Sequence, residues 1–370
     1  MENLQAIMPM LLVTLTAVAT MVAEAFRRKG ERMPIGGLGV IGLTGAAVAA
    51  CLLWNRNAAG FGVVQADNFA LFVSLVLIGI GLLTIMFSAR VVERDGLPQG
   101  EYYALTLFAI AGMMLMASAT DLLVIFLALE VLSLSVYSLT GIRRTDAAGA
   151  EAAFKYFLLG AFSSAFFLYG IAFIYAVTGS TRLDRVSTVI ATQVLQPNPL
   201  VWLAIGLLLV GFAFKVSAVP FHMWTPDAYE GAPTVVTGFM STGVKAAAFA
   251  AFLRVFLSAF EPLRPDWVQM VIWIAVATMV LGTAVGVVQS NVKRMLAYSS
   301  IAHAGYLLVG LIAASNTGKA AVLFYLAVYA VANLGAFGVI GAIASKDRPN
   351  GELADFTGLW YSRPTLALLM

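Results

Sequence analysis

The sequence predicts an all-α integral membrane protein that crosses the bilayer many times. Hydrophobic residues make up 61% of its 370 residues, charged residues make up only 11%, and the mean hydropathy is +0.91. Soluble domains are nearer half apolar and a quarter charged. An apolar excess of this size is typical of a chain surrounded by lipid, where helices satisfy their backbone hydrogen bonds internally.

Apolar runs long enough to cross a bilayer follow one another along the whole chain. A helix needs about 20 apolar residues to cross a hydrocarbon core of about 30 Å. The pattern predicts about eleven complete spans, at residues 4–26, 34–54, 68–90, 102–120, 122–142, 152–178, 199–220, 234–258, 267–290, 295–314 and 319–344. A further run begins at Pro364. We expect the natural chain to continue beyond Met370, because a helix cannot end inside the bilayer.

The basic residues predict the orientation of these helices, because cytoplasmic loops carry an excess of Lys and Arg. With the N-terminus outside, the inner loops contain Arg27, Arg28, Lys29, Arg32, Arg90, Arg94, Arg143, Arg144, Lys293, Arg294, Lys346, Arg348 and Arg363. The outer loops then contain only Arg56, Arg182, Arg185, Arg264 and Lys319. We therefore predict that the N-terminus lies on the outer side.

Several kinds of chemistry find no support in the sequence. The single cysteine, Cys51, allows no intrachain disulfide, and no Cys or His cluster suits a metal, haem or iron–sulfur site. No GxGxxG motif predicts a nucleotide-binding fold. A net charge of +3 does not indicate nucleic-acid binding. We predict that this chain binds neither a metal nor a redox cofactor, so any redox chemistry would lie on another subunit.

Three ionisable side chains fall near the middle of predicted spans. Glu130 lies about 12 Å from the start of its span, Lys245 is near mid-depth, and Lys215 is well inside its run. A charge at a helix centre costs about 2.5–3.5 kcal/mol on insertion scales. A lysine whose acidic partner can approach and withdraw is able to carry a proton. The alternative is one static ion pair that locks helices together.

Lys155 stands near the start of its span, one turn after Glu151. This spacing predicts an ordinary (i, i+4) ion pair, and the position also allows the ammonium to snorkel to the membrane surface.

The segment from Phe214 to Thr234 predicts a broken helix. Pro220 lacks a backbone donor and clashes with the preceding turn, so the helix should end between Lys215 and Pro220. A break at membrane depth is tolerated only inside protein or beside a watery cavity, and transporters place binding sites at such breaks. His222 follows the break and could relay a proton, although a lone histidine is more often structural.

The tenth predicted span carries a polar stripe. Ser299, His303 and Tyr306 share one helical face, with Tyr298 beside it. Such a stripe suits the ordering of water, and hydrogen bonding between helices is the alternative. In the eleventh span, Gly335, Gly338 and Gly341 predict close helix packing; polar residues precede them at Tyr325, Tyr329 and Asn333.

The stretch Phe214 to Thr234, with Lys245 and the segment Lys293 to Tyr306, resembles the antiporter-like membrane subunits of respiratory complex I. One stretch is similar to the subunit N branch of that family rather than to its larger L and M subunits. Its sequence is Phe221-His-Met-Trp-Thr-Pro-Asp-Ala-Tyr-Glu-Gly-Ala-Pro-Thr234. The resemblance covers essentially the whole chain. It implies fourteen helices, containing two inverted five-helix repeats that each include a broken helix, the seventh helix being the first of these.

On that basis the single membrane domain, residues 1–370, would comprise N-terminal helices over about 1–100, a first repeat over about 101–258 and a truncated second repeat over about 267–370. The resemblance implies that Glu130 pairs with the broken-helix lysine, Lys215, and that Lys245 is the lysine of the central axis. Further positions on this polar axis are matched by Lys155, His222, Tyr298 and His303.

The implied function is proton translocation by a non-redox subunit of the membrane arm of complex I. NADH, flavin, iron–sulfur clusters and quinone would be used by the complex as a whole. The expected partners are other membrane-arm subunits and the lipid bilayer of a bacterial inner membrane, with the N-terminus on the periplasmic side. Two alternatives stay open: a subunit of the related cation/proton exchangers, and an architectural spacer without a proton path of its own.

Overall fold

The computed structural model describes residues 2–27, 35–192, 198–344 and 351–370. Within these ranges, eleven helices are long and apolar enough to cross a membrane, as predicted. They are α1 Glu2–Phe26, α2 Ile35–Leu52, α3 Asn68–Arg94, α4 Gln99–Ser118, α5 Leu122–Thr140, α6 Ala147–Thr178, α8 Pro199–Val216, a composite helix Thr234–Ala259, α12 Arg264–Val287, α13 Val292–Ala313 and α14 Asn316–Ile343. Shorter helices are α7 Leu183–Thr192, α9 Trp224–Gly231, α15 Leu359–Ser362 and α16 Pro364–Leu369.

Side-chain caps fix where several of these helices begin. Asp67 accepts a hydrogen bond from the Ala70 N–H at the start of α3, and Asp121 accepts one from Leu123 at the start of α5. Asp146 caps α6 in the same way, so this helix begins at Ala147, five residues before the predicted boundary. Short polar residues at these positions satisfy N–H groups that have no partner inside the helix.

A short β-hairpin is the one departure from an all-helical chain within the described residues. Strand β1, Ala58–Gly60, pairs antiparallel with β2, Val64–Ala66, and Ala58 lies opposite Ala66. The turn between them uses Gly62 at a φ of +71°, a conformation that glycine adopts without strain. The hairpin connects α2 to α3 at one end of the helix bundle.

The composite helix Thr234–Ala259 forms the centre of the bundle and is surrounded by protein along its apolar length. It consists of α10 Thr234–Phe239, a π-helical turn Met240–Val244, α11 Lys245–Arg254 and a second π-helical turn Val255–Ala259. Segment α11 contacts α3, α4, α8 and α14. A polar side chain on this helix is therefore enclosed by other helices and not by lipid.

Close backbone contacts between helices occur at other glycines than those predicted. A Cβ atom at Gly282 in α12 would lie 2.7 Å from the Ala302 nitrogen of α13. Nothing lies within 4 Å of such an atom at Gly335, whereas Gly338 and Gly341 make only ordinary contacts. The prediction of close packing through the glycines of α14 is therefore wrong, because glycine spacing alone does not show which face meets a neighbouring helix.

The two ends of the bundle differ in character. We call the end that contains Asp95, Asp146 and Glu230 the charged face, and the end that contains the β-hairpin the hairpin face. The charged face is the predicted cytoplasmic side. Five of the basic residues used for that prediction lie outside the described residues: Arg28, Lys29, Arg32, Lys346 and Arg348.

Candidate functional site

Lys215 lies at the end of a helix that stops inside the bundle. Helix α8 ends at Val216, and Ser217 adopts a left-handed conformation with a φ of +63°. The chain then passes through Pro220 and resumes helical structure at Trp224, so the break predicted at this proline is present. Only 2% of the Lys215 surface is exposed. The break therefore places an ammonium group in the protein interior.

Hydrogen bonds from neighbouring elements hold the break in one conformation. The Trp224 indole N–H donates to the Phe214 carbonyl at 3.0 Å, and the Thr225 hydroxyl donates to the Ser217 hydroxyl at 2.8 Å. The Val219 N–H donates to the Thr278 hydroxyl of α12 at 2.9 Å. The bonds to the Phe214 carbonyl and from the Val219 N–H engage backbone groups at the interruption, and the bond between Thr225 and Ser217 joins the two sides of the break through their side chains.

The Lys215 ammonium is bound by a hydroxyl and by aromatic rings. Its Nζ donates to Ser133 Oγ at 2.7 Å, and Ser133 is fully buried on α5. The same Nζ lies 5.3 Å from the ring centre of Tyr137 and 5.7 Å from that of Tyr156. Tyr156 stacks on Trp224 with ring centres 4.1 Å apart. Cation–π contacts of this kind partly replace the water that an exposed ammonium would have.

Glu130, the expected acidic partner of Lys215, stands three residues before Ser133 on α5 and is half-buried. Its buried Oε1 has no hydrogen-bond partner among the described residues. No ion pair among those residues joins Glu130 to Lys215. The structure therefore brings the two residues to one region without a direct contact. Ser133, about one helical turn after Glu130, makes the contact with Lys215 instead.

Lys245 occupies the middle of the central helix, immediately after its first π-helical turn. It is 2% exposed, and its Nζ donates to the Ser300 carbonyl of α13 through a very short contact. No described carboxylate forms an ion pair with it. Like Lys215, this lysine is held by a neutral oxygen.

Polar side chains extend from Lys245 along α13 and α14. The Ser300 hydroxyl lies 3.5 Å from the Tyr229 hydroxyl, and the His303 Nδ1 atom hydrogen-bonds the Tyr325 hydroxyl through a very short contact. The Asn333 amide connects Tyr329, at 3.1 Å, to Ser241 of the central helix, at 2.7 Å. These are three separate hydrogen-bonded sets, and His303 lies beside the third of them, with its ring centre 5.1 Å from that of Tyr329.

Lys155 lies at the charged face, where 45% of its side chain is exposed. Its Nζ is 2.7 Å from Glu151, the predicted (i, i+4) partner, and 2.9 Å from Asp227 of α9. Arg294 binds the other oxygen of Asp227 at 2.9 Å. Burial raises the pKa of Asp227, but the hydrogen bonds from Lys155 and Arg294 outweigh it and bring the pKa below its ordinary value. Asp227 is therefore a carboxylate at neutral pH.

A cavity of about 890 Å³ opens at the charged face beside this cluster. Its walls include Glu151, Lys155, Asp227, Glu230 and Lys293. Lys293 was expected in an inner loop, but it belongs to the first turn of α13 and is only 9% exposed. The cavity therefore leads from the surface to a buried lysine.

Two residues of the predicted polar axis lie outside these clusters. His222 is half-buried in the break, and its buried Nδ1 has no hydrogen-bond partner among the described residues. Tyr298 is half-buried against Gly286 of α12. In the described part of the chain, no hydrogen bond connects the Tyr298 side chain to the group around Lys245.

Sequence reasoning missed the immediate partners of both lysines, Ser133 and the Ser300 carbonyl. Ser133 follows Glu130 by three residues and so lies on the same side of α5, which is a signal that could have identified it. Of the predicted stripe on α13, His303 contacts Tyr325, but Tyr306 is 46% exposed, and the oxygen that binds Lys245 is the backbone carbonyl of Ser300. Helical periodicity shows which residues share a face but not what that face meets.

Comparisons with known proteins place the chain in a family. The family model described as "NADH:quinone oxidoreductase/Mrp antiporter, TM" matches residues 119–370. NADH-quinone oxidoreductase subunit N of Trichlorobacter lovleyi is 44% identical over 369 residues, which is 100% of this chain and 76% of that protein. The chain belongs to the subunit N family of NADH-quinone oxidoreductases.

Solved structures agree with the antiporter-like fold. A chain of respiratory complex I from Thermus thermophilus, solved with bound aureothin, is 36% identical with a TM-score of 0.78, and the match covers 97% of this chain and 76% of that one. A chain of the Mrp complex from Dietzia sp. DQ12-45-1b is 23% identical with a TM-score of 0.79, over 99% and 69% of the two chains, and shares the fold. The predicted fold class is confirmed.

Proposed function

We propose that this chain is a proton-translocating subunit of the membrane arm of complex I, and that Lys215 and Lys245 carry the proton. The observation that supports this most directly is that both ammonium groups are 2% exposed and are bound by neutral oxygens. An ion pair with a carboxylate would hold the proton firmly, whereas a hydroxyl or carbonyl partner also tolerates a neutral amine.

The arrangement supports a transfer in which each lysine is charged in turn. When the Glu130 carboxylate and Ser133 stabilise the Lys215 ammonium, the proton resides at the break. When Glu130 withdraws, desolvation favours the neutral amine and releases the proton toward Lys245. From Lys245 the hydroxyl groups of Tyr229 and Ser300, and the His303–Tyr325 pair, extend the polar region. We include Lys155, Tyr298 and His222 as outer members of this path.

The energy required is moderate. Moving one charge against 100 mV takes about 2.3 kcal/mol. A hydrogen bond to a charged group contributes about 1.5–3 kcal/mol. The free-energy change from making and breaking the contacts of one buried lysine is therefore large enough to move the proton against part of the membrane potential.

The remaining parts of the reaction would belong to other subunits. We assign NADH, flavin, iron–sulfur clusters and quinone to other parts of the complex, so that this chain would be a non-redox part of a translocating enzyme. We place it in a bacterial inner membrane with the charged face toward the cytoplasm. The division into two inverted repeats stays a prediction.

The decisive experiment replaces Glu130 with Gln and Lys245 with Ala in the assembled complex. Proton uptake into proteoliposomes is compared with NADH oxidation by the same preparation. Loss of pumping with normal assembly is expected for both variants. Normal pumping by both would remove these residues from the path, and failure of both to assemble would favour an architectural role. Proton flux that depends on sodium would favour the exchanger alternative.

A further inference from the structure

We propose that Lys293 is a positioning residue that fixes α9 as a rigid connection between the sites of Lys215 and Lys245. This inference rests on the proposed function, since it concerns how the two proton-carrying sites are connected. Lys293 is a buried charge with no place in the transfer described above. Its contacts show what it does in the fold.

Lys293 binds the end of α9. Its Nζ donates to the Glu230 carbonyl at 2.6 Å and to the Ala232 carbonyl at 2.6 Å. The last carbonyl groups of a helix lack partners inside the helix and carry a partial negative charge. A buried ammonium group therefore suits this position both as a double donor and as a cation.

Neighbouring residues of α13 reinforce the same contact. Arg294 binds the carboxylate of Asp227 at 2.9 Å and that of Glu230 at 2.8 Å. The Asn291 amide donates to Glu230 at 3.2 Å. The start of α13 and its N-cap thus bind α9 through the side chains of Asn291, Lys293 and Arg294, of which only Lys293 is buried.

The opposite end of α9 is attached to the lysine of the break. Trp224, the first residue of α9, donates its indole N–H to the carbonyl of Phe214, which directly precedes Lys215. Thr225 binds Ser217 on the other side of that lysine. Eight helical residues span about 12 Å, so α9 is short enough to move as one rigid body.

Helix α13 completes the connection to the second lysine. Ser300, whose carbonyl binds Lys245, follows Lys293 by seven residues, or about two helical turns on the same face. A displacement of the break would therefore pass through Trp224, α9 and Lys293 to the oxygen that holds Lys245. Without the Lys293 contact, this end of α9 would be attached only through the partly exposed side chains of Arg294 and Asn291, for whose contacts water can compete.

The test uses variants of Lys293 in the complete complex, reconstituted in proteoliposomes. Lys293→Met keeps the length of the side chain but removes both donors, and Lys293→Gln keeps a donor without the charge. We expect Lys293→Met to lower the rate of proton pumping by at least about 10-fold, the factor in a rate constant that corresponds to losing one hydrogen bond to a charged group. Lys293→Arg should keep most of the pumping.

The matched control is Lys319→Met, because this lysine also lies near the start of a long helix but faces the cavity at the hairpin face. We expect no change there. Normal pumping by Lys293→Met would overturn the proposal, and if that variant does not assemble, normal pumping by Lys293→Gln would do so. Failure of both to assemble would assign Lys293 to folding alone, which also overturns it.

A double variant separates a connecting role from a purely structural one. Trp224→Phe removes the indole donor at the other end of α9 but keeps an aromatic ring against Tyr156. If α9 connects the sites, removing the contact at either end is sufficient to break the connection. The double variant Lys293→Met with Trp224→Phe should then pump no less than the single variant that pumps less. Losses that multiply would contradict the connection. If Lys245→Ala abolishes pumping but Lys293→Met does not, only this inference fails; normal pumping by Lys245→Ala refutes the proposed function itself.

Discussion

Replacing Ser133 with Ala tests the environment of Lys215 through a single hydroxyl group. The Lys215 Nζ donates to Ser133 Oγ at 2.7 Å, and neither residue is more than 2% exposed, so water cannot readily substitute for the hydroxyl. A hydrogen bond to a charged group contributes about 1.5–3 kcal/mol. The rings of Tyr137 and Tyr156 remain to stabilise the cation, which places the expected loss near the lower value.

A loss of about 1.4 kcal/mol corresponds to a tenfold shift of Lys215 from ammonium to amine. We therefore expect proton pumping per NADH oxidised to fall roughly 10-fold in Ser133→Ala, with assembly unchanged. Lowering the pH on the uptake side should restore part of the activity, because a higher proton concentration refills a weakened site. The measurement is dye-reported acidification of proteoliposomes beside NADH oxidation.

Ser135→Ala is the matched control for this variant. Ser135 lies on the same helix and is 6% exposed, but its hydroxyl donates to the Val131 carbonyl of its own helix at 2.9 Å. The change removes the same chemical group without touching a charge, and normal pumping is expected. Equal pumping by the two serine variants, with both complexes assembled, would refute the assignment of Ser133 to Lys215.

Two further predictions concern ion pairs at opposite ends of the bundle. Arg254 binds both oxygens of Asp67, at 2.8 and 3.0 Å, and 10% and 24% of the two side chains are exposed. Asp67→Asn should therefore lower the free energy of unfolding by about 1–3 kcal/mol, although the asparagine can still cap the helix. An unchanged thermal midpoint in detergent would disprove this. At the charged face, burial raises the pKa of Asp227, but the hydrogen bonds from Lys155 and Arg294 outweigh it and lower the pKa. The ionised carboxylate therefore stabilises the fold fully above pH 3.8, the ordinary pKa value. This contribution is lost as the pH falls through the lower pKa of the folded state. The difference in thermal midpoint between the native chain and Asp227→Asn should accordingly be constant above that pH and shrink below it, and a difference that grows on acidification would contradict the assigned ion pairs.

The helical spans and the break were predictable because they follow from local rules. A helix in lipid satisfies its own backbone, so the length of each apolar run shows where a span lies. Pro220 interrupts that pattern by its own geometry, and the structure ends α8 at Val216 as this requires. The capping residue Asp146 lengthened α6 beyond the apolar run, which hydropathy alone does not show.

The partners of the buried charges were less predictable. The pair of Lys155 with Glu151 follows from helical spacing, but the second partner of this lysine, Asp227, is 72 residues away in sequence. Arg254, which lies near the end of a predicted span, binds Asp67 across 187 residues. Such pairs depend on which helix faces meet.

By itself, the sequence determined that this chain crosses a membrane about eleven times, and that Glu130, Lys215 and Lys245 lie within the spans. These facts need only hydropathy, charge and the fixed rise of a helix. The tertiary structure decided that Ser133 and the Ser300 carbonyl hold the two lysines, and that Lys293 binds the end of α9. The physical reason is that a hydrogen bond requires two atoms within about 3 Å of each other, and helix packing, not spacing along the chain, sets that distance.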